Sequence, residues 1–148
     1  MLPPVASNFV AGEDPATAFE HTRRANKDGV AVILNLLGEH YHERAPADGD
    51  AAAYERLIAD LGASDLDGCV SVKPSQLGID VGPEVFEENF RRVVEAGADH
   101  DVFVWCDMED ATTTDTTLDA FETLATEHGG GVGLCVQANL RRTRDDLE

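Results

Sequence analysis

Apolar residues recur along the chain in two alternating textures. The first is a short, nearly continuous run rich in β-branched residues: Val30–Leu36, Cys69–Lys73, Val102–Asp107 and Val132–Gln137. Runs of this length and composition predict strands covered on both faces, as in a parallel sheet. The second is a stripe at helical spacing. Tyr54, Leu57, Ile58 and Leu61 fall at i, i+3, i+4 and i+7, with Gly62 beyond. Phe86, Phe90, Val93 and Val94 form another stripe, opened by Pro83 and closed near Gly97. Leu118, Phe121 and Leu124 form a third after a cap at Asp115. Asp14 followed by Pro15 predicts an N-cap and a first helical position, with Gly29 as the stop. Residues 142–148 read as the start of a further helix.

Strand–helix alternation implies a parallel sheet, either doubly wound or closed into a barrel. No Gly-x-Gly-x-x-Gly follows the first strand, which counts against a dinucleotide fold. We therefore expect an α/β chain of the (βα)₈ TIM-barrel type with about the first four βα units present, residues 1–148 forming the N-terminal half of one barrel domain. Such a half leaves two sheet edges and one sheet face uncovered, an invitation to self-association.

Composition narrows the partners. The chain has 148 residues, 43% of them hydrophobic, so it can build a core. Acids outnumber bases 29 to 11 and the net charge is −18, which repels phosphate backbones and excludes nucleic acid as a natural partner. The acids are spread evenly, as on a solvated surface adapted to high salt. Three scattered cysteines argue for a reducing compartment, and each is expected to be a small core residue of its strand. No basic leader with an apolar core opens the chain, so a cytoplasmic protein is expected.

In βα barrels, chemistry sits at the carboxyl ends of strands. Those positions here carry Asn35, Gly38, Glu39 and His40; Lys73 and Gln76; Asp107, Glu109 and Asp110; and Gln137 and Asn139. Lys73 is the sharpest candidate, because an ammonium ending a buried strand needs a partner. It could donate to a cofactor ring, pair with Glu39 or Asp107, or serve as an amine nucleophile. Asp107 could orient a cation or accept from a cofactor. Gln137 offers a donor and an acceptor together, which suits a flat heterocycle. His40 and His42 beside Glu39 and Glu43, or Glu109 with Asp110, are poor metal patterns, and no metal is expected.

At these same strand ends the sequence resembles the proline dehydrogenase family. The matching segments are Phe9–Glu13, Leu36–Glu39, Ser71–Lys73 with Gln76–Gly78, Asp107–Asp110 followed by Thr114-Asp115, and Gln137-Ala138 with Leu140 and Arg142-Thr143. Each is short, but five agree in order and approximate spacing. The resemblance implies a barrel that binds FAD, oxidises L-proline to Δ¹-pyrroline-5-carboxylate and passes electrons to a quinone, with peripheral contact at the inner face of a membrane. It implies Asp107 as the catalytic carboxylate that organises the site, Lys73 beside the substrate and the flavin's reactive edge, and cofactor contacts from the Met108 backbone and the Gln137 side chain. The family's strand-five segment and its late paired arginines have no counterpart in residues 1–148, so the chain is expected to be inactive by itself. Asn35 and Pro74 depart from the family pattern. Two other classes remain: a Schiff-base lyase of the class I aldolase kind using Lys73, and a non-catalytic half-barrel that self-associates.

Overall fold

A computed structural model describes residues 10–12 and 14–148. Phe9 and Glu13 of the first family-like segment lie outside the described residues. The elements alternate as read from the sequence: α1 (Pro15–Lys27), β1 (Val32–Leu34), α2 (Arg44–Gly62), β2 (Gly68–Val72), α3 (Pro83–His100), β3 (Val104–Asp107), α4 (Thr114–His128), β4 (Val132–Cys135) and the single turn α5 (Thr143–Asp146). The strands form one parallel sheet in the order β1-β2-β3-β4. A doubly wound sheet reverses its order part-way; an unbroken sequential order with a helix in each crossover is the winding of a barrel.

The register sorts the two faces. Val32, Leu34, Val70, Val72, Val104, Cys106, Val132 and Leu134 fall on one face. They meet the stripes of α2, α3 and α4, and Tyr54, Ile58, Phe86, Phe90 and Val93 are fully buried there. Phe86 and Phe90, one helical turn apart, stack at 5.4 Å between centroids. Burying each such ring contributes about 2–3 kcal/mol.

The opposite face is open, as expected of a half-barrel, so the strands are covered on one side only and not on both as their apolar runs suggested. Ile33 is 57% exposed and Phe103 38% exposed there, because every helix of α2–α4 lies on the other side. The cysteines divide accordingly. Cys106 faces the helices and is buried, Cys69 is half-buried, and Cys135 on the open face is exposed, so the core reading holds for Cys106 and fails for Cys135. Trp105 packs on that face against Phe103 at 5.0 Å, over the backbone of Gly133.

Local signals explain most boundaries. Asp14 caps α1 by accepting from the Thr17 N–H at 2.9 Å, and Gly29 takes φ +77° beyond its end. Two signals differ from expectation. Gly97 does not close α3, which runs on to His100 and ends at Asp101 with φ +55°. Gly97 is there for close approach: a Cβ would stand 2.7 Å from Val104 Cγ2 and 2.8 Å from the Val102 carbonyl oxygen. Asp115 is not the cap of α4 either. The helix begins at Thr114, out of the turn that Thr113 N–H closes on the Asp110 carbonyl, and Asp115 pairs with Arg142 at 2.6 Å.

Candidate functional site

The parallel register carries all four strands to one rim, and the loops leaving them, residues 35–43, 73–82, 108–113 and 136–142, are interlocked there. Lys73 is the first residue past β2. One step beyond the Val72–Cys106 pair, it stands beside Asp107 in register, yet its ammonium bonds Glu39 of the β1 loop at 2.7 Å. The lysine was expected to need a carboxylate, and Glu39 is the one it takes. That hydrogen bond raises the Lys73 pKa, helped by the fields of Glu39, Glu109 and Asp107, and it lowers that of Glu39. The pair is partly open to solvent and therefore a modest source of stability.

Asp107 ends β3 and accepts from the Ser71 hydroxyl at 2.8 Å. Ser71 is 4% exposed, so this neighbouring-strand donor fixes the carboxylate from the dry side. Met108 is buried, with its N–H on the Cys135 carbonyl at 3.0 Å. Its carbonyl accepts from Gln137 Nε2 at 2.6 Å. Gln137 lies past β4, and its own carbonyl accepts from the Thr143 hydroxyl at 2.5 Å. Asp107, Met108 and Gln137 thus form one connected group, and Lys73 flanks it from the β2 side. The bond to Met108 uses one amide hydrogen of Gln137. Its second N–H and its side-chain oxygen have no partner among the described residues.

Glu109, Asp110 and His40 have structural employment. Glu109 accepts from the Ser75 N–H at 2.9 Å and from its hydroxyl at 3.0 Å. Asp110 accepts from the N–H and hydroxyl of Thr112. His40, with φ +55°, places Nδ1 3.0 Å from Asp80, a hydrogen bond that raises the imidazole's pKa.

Beneath the rim lies a polar cluster that the sequence reading did not find. The fully buried Tyr54 hydroxyl accepts from Leu36 N–H at 3.0 Å. Its own hydrogen faces the Ser71 carbonyl at 2.7 Å and Gln76 Oε1 at 3.1 Å. Gln76, also fully buried, donates to Asp50 at 2.8 Å and to the Leu36 carbonyl at 3.3 Å. Tyr41 donates to the same Asp50 oxygen at 3.0 Å. Burial holds the Tyr54 phenol far above its ordinary pKa, so it stays a neutral donor. This cluster sets the heights of the β1 and β2 exits relative to α2. The available signal was a tyrosine inside an apolar helical stripe, whose hydroxyl must find a partner.

A groove of about 910 Å³ runs between α1 and β1, past Ala18, Thr22, Ile33, Leu34 and Leu37. It does not reach Lys73, Asp107 or Gln137, which line the open face of the sheet.

Comparison with known proteins identifies the family. The family model described as proline dehydrogenase matches residues 18–148. The proline dehydrogenase of Deinococcus radiodurans is 34% identical over 146 residues, covering 96% of this chain and 47% of the relative. Proline dehydrogenase 2 of Bacillus subtilis is 27% identical over 143 residues, covering 97% of this chain and 47% of its own. The chain thus spans about half the length of these curated relatives. Among solved structures, proline utilization A from Bdellovibrio bacteriovorus superposes with a TM-score of 0.80 at 23% identity, over 93% of this chain and 17% of the larger one, a likeness of fold. The family model covers most of the chain and the sequential βα winding is consistent with it: this chain belongs to the proline dehydrogenase family.

Proposed function

We propose that residues 1–148 supply one side of the active site of an FAD-dependent proline dehydrogenase, which oxidises L-proline to Δ¹-pyrroline-5-carboxylate and delivers the electrons to a quinone. The observation that carries the reading is the convergence of Lys73, Asp107 and Gln137 at one rim, on the sheet face that the helices leave open, with the Met108 carbonyl bonded to the Gln137 amide.

The donor set suits an isoalloxazine. Gln137 has a spare N–H and a spare carbonyl oxygen, matched to a heterocycle edge that alternates acceptors and donors. Lys73 is held as a cation by Glu39, and a cation there favours negative charge on a neighbouring ring. Met108 supports Gln137 through its carbonyl, which makes its cofactor role one of holding the amide in place. Asp107, fixed by Ser71, balances the lysine and is the catalytic carboxylate of this reading. The flavin, when bound, supplies the two-electron acceptor; the chain orients and tunes it.

The raised pKa of Lys73 also weighs against an aldolase-type lyase. A Schiff-base lysine needs a neutral amine, and Glu39 pulls the equilibrium the other way.

In the full product of the gene, L-proline should bleach the flavin absorbance and a soluble quinone should restore it. Lys73→Met and Asp107→Asn should each lower kcat/KM by about 100-fold or more. Unchanged turnover in both variants sinks the reading.

The setting we infer is the cytoplasm at high salt, with peripheral contact to the membrane that holds the quinone. Among the described residues no helix is long and apolar enough to cross a membrane. A net charge of −18 should make the melting temperature climb between 0.1 and 2 M KCl. The unpaired edges of β1 and β4 and the exposed Ile33 and Phe103 favour association of the isolated chain with a second half-barrel. Light scattering that finds only monomer at high concentration removes that idea.

A further inference from the structure

The turn that carries Lys73 is fastened from outside itself. Past β2 the chain folds into a tight run, with the Lys73 carbonyl accepting from the Gln76 and Leu77 N–H groups and the Pro74 carbonyl from Ile79 N–H. The Ser75 N–H gains its partner from the next loop instead. The Glu109 carboxylate takes that N–H on one oxygen and the Ser75 hydroxyl on the other. Ser75 is 2% exposed, so both bonds lie where water competes poorly. Two residues before Lys73, Ser71 is tied to Asp107; two residues after it, Ser75 is tied to Glu109. The lysine is therefore held between two carboxylates of the adjacent strand's exit, neither of which touches its ammonium.

We propose that Glu109 is a positioning residue for Lys73: by gripping both donors of Ser75, its carboxylate fixes the turn that aims the ammonium over the open face toward Glu39. The importance of that aim rests on the flavin reading above; the clamp itself does not. Glu109 also contributes a field at Lys73, so charge and position have to be separated.

The chain makes this possible, because it contains only two lysines, Lys27 and Lys73. Reductive methylation with ¹³C-formaldehyde gives each a resolvable dimethylamino resonance, and Glu39→Gln marks the fully released state of Lys73. Glu109→Asp keeps the charge but is one methylene too short to span both Ser75 donors. It should move the Lys73 resonance toward the released position and lower its titration midpoint by about half a pH unit. Ser75→Ala, which removes one of the two bonds, should produce a smaller change in the same direction. A purely electrostatic role predicts the reverse, with Glu109→Gln shifting Lys73 and Glu109→Asp leaving it alone, and that pattern overturns the proposal. If Glu109→Asp does not fold, Ser75→Ala decides: an unmoved Lys73 resonance in that variant is equally fatal. A flavin titration of the holoprotein separates the two claims. Release of Lys73 with unchanged flavin affinity leaves the clamp standing and removes the lysine from the flavin site.

Discussion

Replacing Tyr54 with Phe tests whether the buried cluster beneath the rim holds the strand exits together. The substitution deletes one oxygen and keeps the ring, so it opens almost no cavity. The lost oxygen serves Leu36 N–H, the Ser71 carbonyl and Gln76 Oε1. The Ser71 carbonyl has a second lone pair and suffers least. Gln76 is fully buried and cannot turn to water, and the Leu36 N–H is only partly open. A buried polar group stripped of its partner costs about 1–3 kcal/mol, which puts the combined loss at about 2–4 kcal/mol. For a domain of this size that is a fall in melting temperature of roughly 6–15 °C. Thermal and urea denaturation followed by circular dichroism measure it, with Tyr41→Phe as the control. Tyr41 is less buried and gives up one bond, to Asp50, so its cost should stay below about 1 kcal/mol. A Tyr54→Phe protein within about 0.5 kcal/mol of the parent, or no worse than Tyr41→Phe, refutes the claim that this hydroxyl is structural.

Gly97→Ala should destabilise by about 1–3 kcal/mol, against the helix propensity gain, because the new methyl meets Val104 and the Val102 carbonyl; a more stable variant contradicts the close-approach reading. Phe90→Ala should cost about 3–5 kcal/mol in urea unfolding through the cavity left beside Phe86, and a loss under about 1 kcal/mol would mean the helical layer repacks freely. The loop at 35–43 is latched by Glu39–Lys73 and His40–Asp80 and should respond to pH in a defined order. Glu39's lowered pKa gives a contribution complete above its ordinary value of 4.5 and lost as pH falls through the lowered one. The raised pKa of His40 gives a contribution complete below its ordinary 6.5 and lost as pH rises through the raised one. Amide exchange in this loop, corrected for intrinsic rate, should therefore be slowest between those two values; a flat profile means the ion pairs do not hold it.

The element order could be read from the sequence because each element's signal is local. β-branched runs, 3.6-residue stripes and the Asp14-Pro15 start act within a few residues of where they stand. The rim candidates followed from the same reading, since a parallel sheet sends every strand exit to one end, and Lys73, Asp107, Met108 and Gln137 do lie there. Partnership was not legible, because it depends on where separate strands end relative to one another. Glu39 rather than Asp107 holds Lys73, Ser71 holds Asp107, and Glu109 reaches across to Ser75. Gly97 read as a stop until the sheet beneath it gave its missing side chain a purpose, and Cys135 read as core until the helices proved to lie on the other face. Sequence alone determined which segments are strands and helices, because backbone preference and periodicity are short-range. Tertiary structure decided which polar groups meet, because those bonds join residues up to 44 positions apart and exist only once the elements have packed.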